Sequence, residues 1–178
     1  MGFDLGSLLQ QYVGGSAPAQ GAEDHFHQAA QNAPTDLLTE GLSAMFRSDQ
    51  TPAFGQMAGQ LFGQANSSQQ AGMLNQMISS MGPAVLSSLL TGAGGAGLGA
   101  LLGKLTGGGA SPAAITPAQA SQLTPEQVQV IASHAEQHNP GIIDSLSSFY
   151  AEHPGLVKTL GSAALTIALA KMAQRNNA

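Results

Sequence analysis

Thr51 to Gln64 reads TPAFGQMAGQLFGQ, and two periodicities run through it together. Phe54, Met57, Ala58, Leu61 and Phe62 recur at spacings of three and four, which puts them on one stripe of an α-helix. Gly55, Gly59 and Gly63 recur every four residues, lowering one side of that helix so that another backbone can approach it closely. Three glycines cost such a helix about 3 kcal/mol relative to alanine. Burying its large apolar side chains returns about 6–12 kcal/mol, so the helix is expected to persist. Thr51 before Pro52 reads as its start, the hydroxyl capping free amides and proline filling the first helical position.

Outward from this stretch the apolar spacing stays helical, and no period-two strand pattern competes with it. Toward the N-terminus, Asp4 caps a first helix with Leu5, Leu8, Leu9 and Tyr12, which Gly14 and Gly15 end. A linker of small residues and proline follows to Gly21. A second helix is expected around Glu23 to Asn32, and Pro34 or Thr35 opens a third with Leu37, Leu38, Leu42, Met45 and Phe46. Toward the C-terminus, Ser67 to Gln70 fits a capping box ahead of a stripe of Met73, Leu74, Met77, Ile78 and Met81, punctuated by Gly82 and Pro83.

Gly92 to Gly109, GAGGAGLGALLGKLTGGG, is half glycine. It contains a G-x-G-x-x-G at Gly92, Gly94 and Gly97, but the preceding PAVLSSLLT looks helical and no acid occurs until Glu126, so a dinucleotide site is excluded. A phosphate loop fails as well, because Leu105 follows Lys104 where Ser or Thr is required. Gly95, Gly99, Gly103 and Gly107 form a second four-residue row, with only Leu98, Leu101, Leu102 and Leu105 to offset its glycines. A flexible linker is favoured there over a packed zipper helix.

Next comes ASPAAITPAQASQLTPEQ, a connector rich in Pro, Ala and Ser. Thr124 to Gln127 is a second capping box with Pro125 at its first helical position, opening a helix that ends at Asn139. A weak repeat pairs AEQHNPGII at Ala135 to Ile143 with AEHPGLV at Ala151 to Val157. It predicts two similar corners in which a histidine closes one helix and Pro-Gly opens the next. The last helix is expected from Pro154 to about Arg175. The architecture that follows is all-α, a bundle of short helices with a glycine-rich flexible break. Helical segments at 1–90 and 116–178 flank a Gly/Ala/Pro-rich linker at 91–115.

Composition narrows the function. Charged residues make up 8% of the chain, about a third of the usual share of roughly 25%. Between Gln50 and Pro125 the only formal charge is Lys104, so that run must bury its apolar faces in its own fold or against a partner. The net charge of −5 and five scattered Lys and Arg residues argue against a nucleic-acid partner. Absence of cysteine removes disulfides, thiolate metal sites and cysteine nucleophiles, and fits a reducing compartment. The N-terminus has no positive region of the signal-peptide kind. Met81 to Gly103 is long enough to span a membrane but diluted by glycine, and Thr159 to Ala170 is too short. Peripheral membrane contact is therefore the alternative to a cytoplasmic protein.

Candidate chemistry is sparse. His134 and His138 lie four apart on one helix face and His153 follows the second corner, a set whose geometry suits zinc. Ala135 stands where a zinc hydrolase needs glutamate, so solvated or capping histidines compete with that reading. His25 and His27, two apart, splay on a helix. There is no G-x-S-x-G elbow, and the one close pair of acids in an apolar setting, Glu23-Asp24, looks like the first turn of a helix, so neither an enzyme, a cofactor nor a small-molecule substrate is expected. Methionines on helical stripes suit core filling or an adaptable binding groove.

The opener MGFDLGSLLQQYVGG, the Gly- and Gln-rich middle and HNPGIIDSLSSF together resemble the YidB-like group of small bacterial proteins. The likeness covers mainly the two ends. It implies an all-α fold and a bacterial cytoplasmic origin, and it assigns no site. The functional expectation is a non-enzymatic module that self-associates or binds another protein. Gly55, Gly59, Gly63, Gly95, Gly99, Gly103, Gly107 and the Met-rich stripe would supply the contact surface.

Overall fold

Side-chain caps set where several of the helices begin. The computed structural model describes residues 4–13, 20–89, 91, 100, 103–104 and 114–177. Most of the glycine-rich break lies outside them. Ten α-helices and no strand occur among the described residues. Asp4 accepts from the Gly6 amide at 3.0 Å and starts α1, Leu5–Gln10. α2 is Ala22–Asn32, and α3, Thr35–Phe46, follows Pro34.

α4 is Phe54–Gln64, two residues later than Thr51-Pro52 predicted. The Thr51 hydroxyl turns backward, donating to the Met45 carbonyl at 2.7 Å and the Ser48 carbonyl at 2.9 Å. These two bonds tie the turn after α3 back to the end of that helix. α5, Ser67–Ser88, is capped one residue earlier than expected, by a reciprocal box between Asn66 and Gln69. Gln70 instead donates to the Phe62 carbonyl at 2.9 Å. Gly82 interrupts α5 at φ 71°, ψ 165°, a backbone that favours glycine. Pro83 directly after it has no amide to return to the helix.

The expected connector contains a helix of its own. α6, Pro117–Ala120, is capped by Thr116 and Gln119, and α7, Pro125–His138, by Thr124 and Gln127. Both use the same T-P-x-Q arrangement. α8 is Ile142–Glu152 and α9 is Pro154–Val157. The long last helix predicted from Pro154 is broken. A 3-10 turn over Lys158–Leu160 ends at Gly161, φ 89°, and α10 restarts at Ser162–Asn176. Gly161 in that left-handed conformation cannot continue a helix.

The helices sort into two compact units that do not coincide with 1–90 and 116–178. One joins Met1–Ala53 to Ser147–Ala178, and the other is Phe54–Leu146. In the first unit α10 packs on α3, α2 and α1. Its core includes Leu9, Tyr12, Phe26, Leu42, Met45, Tyr150, Leu165 and Met172, all nearly free of solvent. α3 and α10 meet at Gly41, where a Cβ would lie 2.5 Å from Met172 Cγ and 3.0 Å from the Ala168 carbonyl. In the second unit α4 packs on α7, and α5 packs on α6 and α7. Phe54, Met57, Leu61, Phe62, Met73, Leu74, Val128 and Ile131 are buried there.

Candidate functional site

The α4–α7 seam accounts for the first glycine row. A Cβ at Gly55 would collide with Ser133 Oγ and lie 2.8 Å from the Gln129 carbonyl; at Gly59 it would lie 2.6 Å from the Pro125 carbonyl; at Gly63 it would lie 3.1 Å from Pro125 Cγ. The pairs run in opposite directions along the two helices, so α7 lies antiparallel in the groove that the glycines open. The row expected to serve self-association is therefore occupied by a helix of the same chain. The methionine stripe is likewise internal, since Met57, Met73, Met77 and Met81 are buried. The physical reason is common to both: small and flexible side chains permit close packing, whichever molecule the partner belongs to. In the second row, Gly95, Gly99 and Gly107 lie outside the described residues, and a Cβ at Gly103 would meet no described atom within 4 Å.

The strongest polar constellation joins the far end of α5 to α7. Ser88 Oγ lies 3.0 Å from His134 Nε2 and 2.8 Å from the Val85 carbonyl, to which it donates. Serine has one hydroxyl proton, and a carbonyl can only accept. A neutral His134 with its proton on Nε2 fits this arrangement, and the bond links the end of α5 to α7. His138 Nδ1 lies 2.9 Å from the His134 carbonyl and must be the donor. The two imidazoles lie 4.3 Å apart between ring centres, their planes tilted by 41°. Burial, and then the neighbouring His138, hold the His134 pKa below the ordinary imidazole range.

His153 closes the second corner in the same way. Its Nδ1 donates to the Phe149 carbonyl at 2.8 Å, and its ring stacks on Phe149 at 4.4 Å. No three His, Asp or Glu side chains among the described residues gather to hold a metal, so the expected set of His134, His138 and His153 is not assembled. His25 has a structural task. Its Nδ1 lies 2.6 Å from the Tyr12 hydroxyl, a bond that ties the turn after α1 to α2, and burial raises the Tyr12 pKa. His27 pairs with Gln31 at 3.0 Å.

Other features offer less chemistry. A recess at the starts of α2 and α10 is lined by Gln20, Gly21, Glu23, Asp24 and Ser162, where the two carboxylates disfavour an anion. Tyr150 is fully buried, its hydroxyl has no hydrogen-bond partner among the described residues, and burial raises its pKa; it stays protonated. Sequence reasoning missed Ser88 as the partner of His134, and only the Gly82-Pro83 break hinted that the residues after it turn toward another element. No helix among the described residues is long and apolar enough to cross a membrane. No protein-family model, curated protein or solved structure matches the chain.

Proposed function

We propose that the chain is a non-enzymatic helical module that acts by associating with further copies of itself. The unit between Phe54 and Leu146 supplies the contact. The observation that carries this reading is the charge-poor exterior of that unit, whose only ionic side chains are Lys104, Glu126, Glu136 and Asp144. Interface centres are depleted of charge because stripping water from an ion costs more than its new contacts return. The solvent side of α4 presents Gln56, Gln60 and Gln64 in place of charges. α7 adds Val130, which is 40% exposed. These neutral groups cost less to desolvate than charges do, provided the amides find new hydrogen bonds. The likeness of the chain's ends to the YidB-like group supports a bacterial cytoplasmic setting for the same module.

Sedimentation velocity of the purified chain, run without detergent over a wide concentration range, tests this. A discrete or growing assembly is expected, with Val130→Glu raising the midpoint of association about tenfold, the equivalent of about 1.4 kcal/mol. A monomer at every concentration would sink self-association and leave a different protein as the partner. Flotation with liposomes would point to a membrane surface instead.

A further inference from the structure

We propose that the second half of the chain, 114–177, exchanges onto the first half of another copy, so that self-association is locked by a reciprocal swap of halves. The inference rests on the self-association reading above. In the unit of the chain's ends, α10 packs on α1, α2 and α3, and α9 packs on α2. In the unit Phe54–Leu146, α4 packs on α7, and α5 packs on α6 and α7. Each of these pairs joins a helix from residues 4–89 to one from 114–177. Pairings inside the first half, α1 with α2 and α4 with α5, are slighter. Side-chain bonds tie the same two halves. Asn75 Nδ2 donates to the Ile115 carbonyl at 3.1 Å, and the Ile115 amide donates to Asn75 Oδ1 at 2.7 Å. Asn139 Nδ2 donates to the Ser80 carbonyl at 2.6 Å, and Arg175 pairs with Glu40 at 3.0 Å.

One covalent connection, residues 90–113, joins the halves, and a run of about 24 residues reaches about 80 Å when extended. A tether of that reach does not dictate which copy supplies the second half. Exchange remakes the same contacts between two chains, a low-cost route to a symmetric pair. The groove opened by Gly55, Gly59 and Gly63 then receives α7 of the second copy. What opposes exchange is the effective concentration of a tethered half, of millimolar order for short flexible linkers and falling with linker length. Copies gathered by the charge-poor exterior reach local concentrations of about that order. Exchange therefore follows association and makes it persist.

The chain has no cysteine, so introduced thiols report the pairing directly. A Cβ at Gly63 would lie 3.7 Å from Pro125 Cβ, a separation that suits a disulfide. Full chains carrying Gly63→Cys and full chains carrying Pro125→Cys are unfolded together, refolded at a concentration where sedimentation shows assembly, and oxidised. The mixed disulfide dimer is expected in at least about tenfold excess over either like dimer, because exchange holds the two thiols together where collision does not. Assembly without that excess overturns exchange and leaves the exterior contact standing. No assembly at any concentration overturns both. The chain carrying both substitutions checks the seam itself. Refolded dilute, it should close its disulfide within one chain, and refolded at the assembling concentration it should link chains. Failure to close when dilute overturns the pairing of halves on which the proposal stands.

Discussion

The two units solve one problem, bringing helix backbones together, with different means. In the unit built from Phe54–Leu146, α4 presents three glycines to α7, and the atoms facing Gly55 and Gly59 include the backbone carbonyls of Gln129 and Pro125. In the unit built from the chain's ends, α3 presents the single Gly41, and its nearest neighbour is the side chain of Met172. A carbonyl held in a helix ladder cannot step aside, whereas a methionine has several rotatable bonds and can. Glycine is therefore obligatory at Gly55 and Gly59 and less costly to replace at Gly41, where the closest atom belongs to a flexible side chain.

Alanine substitutions grade that difference, and chemical denaturation reads it. The largest loss is expected for Gly55→Ala and Gly59→Ala, about 3 kcal/mol each, since the helices must part. Shortening the Ser133 side chain should not rescue Gly55→Ala, because the Gln129 carbonyl remains 2.8 Å from the added carbon. Gly41→Ala comes next at about 1 kcal/mol. Met172 can yield there, while the Ala168 carbonyl at 3.0 Å still crowds the new methyl. Gly63→Ala is the smallest effect. Its neighbour is the ring edge of Pro125 at 3.1 Å, and alanine's better helix propensity of about 1 kcal/mol offsets the crowding. Equal losses at Gly55 and Gly63 would mean that α4 and α7 are not pressed together at the glycines.

This comparison also shows what could be read in advance. The helical stripes, the Asp4 cap and the Thr124 box depend on residues a few positions apart, and all three form. Thr116, Pro117 and Gln119 carry the same signal as Thr124, Pro125 and Gln127, yet sit in a stretch whose Pro and Ala content suggested a connector. The start of α4 at Phe54, two residues past Pro52, was not legible because the Thr51 hydroxyl also serves the helix behind it. Gly161 was hidden inside an otherwise helical run. What no local pattern holds is the identity of a partner. A glycine row looks the same whether the approaching helix comes from the same chain or another, and the spacing of His134 and His138 gives no sign of Ser88. The division of the chain is of the same kind, because only long-range packing of α10 on α3 joins the two ends.

That division carries a consequence for how the protein is made. Unit Phe54–Leu146 is an insertion within the other unit, and synthesis proceeds from the N-terminus. α1, α2 and α3 are made before α10, which packs on all three, so the faces they turn to it stay uncovered until it follows. The inserted unit has all its partners as soon as α7 emerges. The order of folding should therefore invert the order of translation, the middle of the chain setting before its beginning.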